Sequence, residues 1–375
     1  MLNPSANVLA AKPERSAFSI RFQRMAPVVR SPTEPGGIDA ALIEICFNSQ
    51  WGGPFLKVVG MVVKLLVRGD IIRIAIILFT ALSVLIAQCF IAMDVLWSSF
   101  AKAYLGAAFL ITIGLAYRWL GRDAGVAAAC LVTAQLVIFS SFGAVLNYAG
   151  AAAHRPLYDA AIANLDKAIG LDWLGYVTAV KSNSTIGALL TAAYNSTLPQ
   201  LPVAIAILAF SRRIARLDEF SIAFMLAAVL TVALWTAFPN LGELQFLYAN
   251  GKPVPPFQLA LSREEALQVF RVWRDGPGTV RSEEIVGLIG APSFHTVMAL
   301  LTMRALWGLG WVSIAAVAVN VLTLLAVPAD GGHHFFDVAA GAAVAVFAIL
   351  AAKALLQGRD EREGSVFVAP VGQAG

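Results

Sequence analysis

GGHHFFDVAAGAAVAVFAILAAKALL, residues 331–356, opens on two glycines, two histidines and an aspartate and then turns apolar, with Lys353 its only later charge. An apolar run of roughly 17 to 25 residues is long enough to cross a bilayer as a helix. The small residues of AAGAAVAVFA predict that this helix packs closely against its neighbours. Similar runs precede it at 71–96, 101–120, 124–149, 184–210, 220–239, 291–309 and 311–328. Of 375 residues, 59% are hydrophobic and 13% charged, and mean hydropathy is +0.75, far from the balance of an ordinary soluble domain. The expected fold is all-α, a polytopic membrane bundle of about six to eight transmembrane helices with short antiparallel connections.

Three parts are expected. Residues 1–70 form a basic arm carrying Lys12, Arg15, Arg21, Arg24 and Arg30, followed by an amphipathic stretch at 55–67 suited to an interfacial helix. Residues 71–357 form the bundle, and 358–375 a polar tail. Net charge is +4, but the basic residues are scattered and form no stripe interleaved with aromatics, which excludes nucleic acid as a partner. Cys46, Cys89 and Cys130 show no CxxC spacing, and two of them fall inside apolar runs, so neither a disulfide framework nor a thiolate metal site is expected.

Lysines and arginines beside short loops set the orientation. With the N-terminus inside, Lys57, Lys64, Arg68, Arg73, Arg118, Arg122, Arg212, Arg213, Arg216, Arg304 and Lys353 are cytoplasmic, and Lys102 is the exception. The two long connections, 150–183 and 240–290, then emerge on the other face, together with all four histidines, His154, His295, His333 and His334.

Ionisable residues beside membrane segments are candidates for function. His295 follows Pro292-Ser293-Phe294 and opens one apolar run; His333 and His334 follow Gly331-Gly332 and open another. Asp337 stands four residues after His333, which on a helix puts carboxylate and imidazole on one face. Helix starts carry free N–H groups and partial positive charge, so both are natural phosphate sites. The chemistry that follows has His333 attack phosphorus, Asp337 fix its tautomer and stabilise the imidazolium, and His295 pass a proton to the departing alkoxide. That scheme calls for no metal or other cofactor.

PSFH (Pro292–His295) and GGHHFFD (Gly331–Asp337), one helical hairpin apart, resemble the type 2 phosphatidic acid phosphatase (PAP2) superfamily. More narrowly, they resemble its branch of inositol phosphorylceramide synthases of the aureobasidin-resistance type. HRPLYDAAIANLDKAIGLDW (His154–Trp173) and VWRDG (Val272–Gly276) add to the likeness, which covers roughly residues 148–350. The resemblance implies a PAP2-like core, His333 as the residue that becomes phospho-histidine, Asp337 as its partner and His295 as the acid. It also implies phosphate contacts from Arg155, with Arg274 and Ser293 as further candidates; Arg274 adjoins Asp275, with which it can pair instead.

Two departures from the broad superfamily pattern stand out. Tyr148 occupies a position where a lysine is expected, and Ala326-Val327 stands where Ser-Arg is expected. A site short of cations suits a monoanionic phosphodiester better than a dianionic monoester. The expectation is therefore a membrane transferase that moves an inositol-phosphate-like headgroup from a phospholipid donor to a lipid or polyol acceptor, with its active site on the non-cytoplasmic face. A lipid phosphate phosphatase using the same residues is the alternative. A third reading, from another class, is a metal or proton carrier, because His333, His334 and Asp337 are zinc-ligand types.

Overall fold

The computed structural model describes residues 54–91 and 93–357, and the basic segment before residue 54 and the tail after 357 lie outside it. In chain order come α1 (Pro54–Leu65), α2 (Arg68–Phe90), α3 (Ala101–Trp119), α4 (Ala124–Ala151), α5 (Asp159–Ala168), α6 (Trp173–Lys181) and α7 (Ser184–Asn195). Then follow α8 (Thr197–Phe210), α9 (Ile214–Ala237), α10 (Glu243–Ala249), α11 (Arg263–Asp275), α12 (Phe294–Leu306), α13 (Trp311–Asp330) and α14 (Phe335–Gln357). One short parallel pairing, β1 (Asp94–Val95) with β2 (Thr279–Val280), ties the connection after α2 to the one after α11.

Among the described residues six helices are long and apolar enough to cross a membrane: α2, α3 with the turn before it, α4, α9, α13 and α14. The run at 184–210, expected as one span, is broken into α7 and α8, which meet at 54°. Pro199 explains the break, for it has no N–H to give the Asn195 carbonyl and so cannot continue the ladder from α7. The run expected at 291–309 is helical only over the 13 residues of α12, about 20 Å at 1.5 Å per residue and short of the roughly 30 Å hydrocarbon core.

The central packing joins Val132, Leu136 and Phe139 of α4, Leu208 of α8, Leu217, Ile222 and Met225 of α9, Val297 and Leu301 of α12, and Ala345 and Ala348 of α14. Alanines on α14 let α9 and α12 approach it closely, as the composition of AAGAAVAVFA predicts. Large apolar side chains point the other way: Phe79 and Leu82 on α2, Leu105 and Phe109 on α3, Phe347 and Leu350 on α14 are all exposed. In water such a surface would be a liability, and in a bilayer it is the solvated face.

Charges are buried at the end of the bundle opposite the histidines. Arg73, 1% exposed, donates to Asp70 Oδ1 at 2.7 Å, Asp218 Oδ1 at 2.6 Å, Gln135 Oε1 at 2.5 Å and Ser221 Oγ at 3.0 Å. Arg118 closes the group on Asp70 and donates to the Leu65 carbonyl at 2.9 Å. This network ties α2 to α3, α4 and α9 and fastens the end of α1 to α3.

Candidate active site

His333 and His334 occupy the four-residue turn between α13 and α14. Gly332 takes φ +66°, and a Cβ there would stand 2.6 Å from Leu244 Cβ, so the turn needs glycine for both conformation and space. A Cβ on Gly331 would meet the His333 ring at 2.7 Å and the Tyr194 hydroxyl at 2.9 Å. The paired glycines thus let the backbone pass beneath two side chains of the site.

Nδ1 of His333 lies 3.3 Å from Asp337 Oδ2, the i,i+4 pairing that the spacing predicts. Its Nε2 is left toward the cavity described below and stands 3.4 Å from Ser293 Oγ. Asp337 is fully buried; Oδ2 also accepts from the His334 backbone N–H at 3.0 Å, and Oδ1 accepts from Asn240 Nδ2 at 3.0 Å. Ser293 N–H donates to the Asp337 carbonyl at 2.9 Å, so the turn before α12 is joined to α14. The His295 ring centre lies 6.4 Å from that of His333. Tyr194, at the break between α7 and α8, stacks on His295 with centroids 4.2 Å apart and places its hydroxyl 3.4 Å from Nδ1.

Of these side chains Tyr194, His295 and His333 line a cavity of about 580 Å³, while Ser293 and Asp337 stand behind them, fully buried. Its deeper wall is apolar, with Phe139 and Gly143 from α4, Phe224 and Ala228 from α9, and Phe294 and Met298 from α12. Ala260, Leu261, Val269 and residues 285–289 of the long connection also line it. Asn147, Asn195, Thr231, Gln245 and Glu265 are among the polar residues of the wall, and among the described residues no lysine or arginine lines it. α11, whose start is set by a Ser262–Glu265 capping box, contributes this cover.

The two helix starts differ. The first N–H groups of α14 are already taken, for Asp166 of α5 accepts from Phe335 at 2.8 Å and from Phe336 at 3.1 Å. A phosphate at that start, expected from the sequence, would meet a carboxylate in its place, because an internal anion satisfies the same free donors. At α12 Ser293 makes no side-chain cap, and Phe294 and His295 line the cavity. Only this second start keeps the anion-binding character read from the sequence.

His334 points away from the cavity. Its Nε2 is 3.2 Å from Asp159 Oδ1 and its Nδ1 2.8 Å from Glu243 Oε2, the latter a charge contact at an angle poor for a hydrogen bond. Burial alone would lower its pKa, but the hydrogen bond to Asp159 and the nearby carboxylates of Glu243, Asp337 and Asp159 push it up to about 10. Asp159 also accepts from Leu241 N–H at 3.0 Å and Gly242 N–H at 2.9 Å.

The structure thus brings His295, Ser293, His333 and Asp337 together and leaves Arg155 and Arg274 elsewhere. Both arginines are exposed, and neither lines the cavity. Arg274 is held by Asp275 at 2.6 and 2.7 Å, the local pairing that adjacency allows. Arg155 offers its carbonyl to Trp273 Nε1 at 3.3 Å, and His154 Nδ1 stands 3.1 Å from the Trp273 carbonyl; both sit apart from the other three histidines. Tyr148, in place of the expected lysine, accepts from Val286 N–H at 2.9 Å and so steadies the cover. Lys181, which the sequence reading passed over, is buried and paired with Asp330 at 2.7 Å. Among the described residues no group of three or more His, Cys, Asp or Glu is arranged to hold a metal ion, which leaves the metal-carrier reading without a ligand set there.

Sequence reasoning also missed Asn240, Tyr194, Asp159 and Asp166. One signal was present: Asp159 and Asp166 lie seven residues apart in a short helical stretch, hence on one face.

The six long apolar helices define a multi-pass membrane protein, and its bundle sets His295 and His333 on a largely apolar cavity with Asp337 behind His333. The family model of the PAP2 superfamily matches residues 160–351, just over half of the chain, and the protein belongs to that superfamily. The match encloses His295, His333 and Asp337 and begins after Arg155. Membership makes it an enzyme of phosphatase or phosphotransferase type acting on lipid phosphates in general, and it carries nothing that selects the inositol phosphorylceramide synthase branch. No curated protein and no solved structure matches the chain.

Proposed function

We propose that the protein is a phosphotransferase that moves an inositol-phosphate-like headgroup from a phospholipid donor to a lipid or polyol hydroxyl through a phospho-histidine. The observation that carries this reading is the placement of His333: Nδ1 on Asp337 and Nε2 toward the cavity that it shares with His295. In the first step Nε2 bonds to phosphorus, the bond from phosphorus to the lipid oxygen breaks, and His295 gives that oxygen a proton; burial and then the neighbouring His333 hold the pKa of His295 down at about 3, so this role requires the bound phosphate anion to favour the protonated ring. In the second the acceptor hydroxyl gives its proton to His295 and bonds to phosphorus as the N–P bond breaks. The open start of α12 and the Ser293 hydroxyl are the donors for phosphate oxygens. Arg155 and Arg274 serve this reading only if their side chains swing from their exposed positions to a bound headgroup. The wall without lysine or arginine supports a monoanionic diester as donor. Water in place of the acceptor alcohol would turn the same machinery into a phosphatase.

The active site is assigned to the non-cytoplasmic face. Support comes from Arg118, Arg122, Arg212, Arg213 and Arg216, which mark the opposite ends of their helices as cytoplasmic.

The test uses purified wild-type and His333→Ala protein in vesicles of phosphatidylinositol and other phospholipids, with ceramide or diacylglycerol as acceptor, and mass spectrometry of all products. A new phospho-headgroup lipid made by wild type alone is the expected result. Release of free phosphate or of a soluble phospho-headgroup would replace transfer by hydrolysis. Wild-type turnover in His333→Ala would overturn the nucleophile assignment.

A further inference from the structure

Asn240 lies in the turn between α9 and α10, fully buried, and every polar group of its side chain is committed to the site. Nδ2 donates to Asp337 Oδ1 at 3.0 Å. Oδ1 accepts from the backbone N–H of Ala291, the residue that precedes Pro292-Ser293-Phe294-His295. Its backbone carbonyl accepts from Trp235 Nε1 at 2.7 Å and from Gly290 N–H at 3.2 Å. A Cβ on Gly290 would come within 2.7 Å of the amide nitrogen, so the glycine there leaves room for this side chain.

We infer that Asn240 is a positioning residue for the proposed phosphotransfer, clamping the Asp337 carboxylate and the turn that carries His295 into one frame. The inference rests on the functional reading above. One face of Asp337 is occupied by His333 and the His334 N–H; without Asn240 the other oxygen would be a buried acceptor with no donor among the described residues. A carboxylate in that state rotates or takes up a proton, and either change loosens its hold on His333 Nδ1. The amide prevents both. Because the same side chain holds Ala291 through its oxygen, the separation of His295 from His333 depends on it too. Asparagine suits this position where aspartate does not: it must donate to one carboxylate and accept from one N–H, and an aspartate would set two carboxylates face to face. The turn is held in its place by Asp159, through the Leu241 and Gly242 N–H groups, and Asp159 is in contact with His334.

Two variants separate the two halves of the clamp. Asn240→Ala removes both bonds; Asn240→Asp keeps an acceptor for Ala291 and loses the donor to Asp337. Both are purified in detergent, checked by thermal unfolding, assayed in the vesicles described above, and labelled with ¹⁵N-histidine. The chain holds four histidines, so the ring signals of His333 are assigned by their loss in His333→Ala. In the wild type His333 should appear as the single tautomer with Nδ1 protonated. In both variants kcat should fall about 100-fold, the scale of a misplaced catalytic group, with KM within about threefold, while the His333 ring signals shift or split. Wild-type kcat in Asn240→Asp, or a fall in kcat with His333 signals at their wild-type positions, would overturn the assignment. So would loss of the folded state in both variants, which would make Asn240 a structural residue only. If wild-type protein turns over no phospholipid, the functional reading fails, while the His333 signals still decide whether Asn240 holds the His333–Asp337 pair.

Discussion

Both ends of the bundle bury charge, and they do so differently. At the Arg73 end, Asp70, Asp218 and Gln135 surround one guanidinium, and each short contact joins a donor to an acceptor. At the histidine end the buried carboxylates and imidazoles are linked in a chain, from Asp159 through His334, and from Asn240 through Asp337 to His333. That chain stops at a cavity. Among the described residues the wall there holds buried polar atoms with no partner, Thr231 Oγ1, Gln245 Oε1 and Asn147 Oδ1, and no lysine or arginine. A closed network of charges stabilises a packing; an interrupted one beside a cavity is poised for a ligand.

Opposite responses at the two ends would confirm that contrast. The largest effect is expected for His333→Ala, which should lower turnover about 10⁴-fold or more, the scale seen when a nucleophile acting in concert is removed, and leave thermal unfolding close to wild type. Arg73→Ala should do the reverse. It leaves Asp70 and Asp218 buried with one cation fewer and should cost about 3–5 kcal/mol in denaturant unfolding, with kcat of the folded fraction unchanged. Equal losses of kcat in the two variants would dissolve the distinction.

A third, smaller effect concerns pH. The folded state raises the pKa of His334 to about 10 from an unfolded value near 6.5. Its contribution to stability is therefore complete below about pH 6.5 and is lost as pH rises through the folded value near 10. Thermal unfolding should fall across that window, and His334→Gln should flatten the slope. A parallel slope in the variant would assign the pH dependence to other groups.

The smallest effect is expected at the two exposed arginines. Arg274→Ala removes an exposed pair with Asp275 that solvent screens, so stability should hardly change. If these arginines are never drawn to the headgroup, Arg155→Ala and Arg274→Ala should leave KM within about twofold, by the rule that exposed substitutions away from a site are near neutral. A tenfold rise in KM for the phospholipid donor in either variant would return that arginine to the phosphate site.

Much of the architecture was legible in the residues. Long apolar runs have one stable form in a bilayer, so α2, α4, α9, α13 and α14 follow from composition alone. The break at Ser196 was legible in principle through Pro199, yet the run on either side of it is apolar enough on average to read as one span and hides a bend. The shortness of α12 was not legible, since extended backbone at 285–293 is as apolar as the helix that follows.

What the sequence determined by itself is the chemistry available at each position: the i,i+4 spacing of His333 and Asp337, the PSFH turn and the paired glycines all act within a few residues of one another. Local geometry decides such features: His333 meets Asp337 in the fold, though from the turn before α14 and not from the helix that the spacing presumes. The tertiary structure alone decided which far-separated groups face the same space. Asn240 reaches Asp337 across 97 residues and His334 reaches Asp159 across 175, while Asp166 fills a helix start that looked open to phosphate. Arg155 and Arg274 are exposed and line no part of the cavity. Short spacings constrain dihedral angles and can be read from the chain; long ones are set by how helices pack, which depends on the shape of every side chain between them.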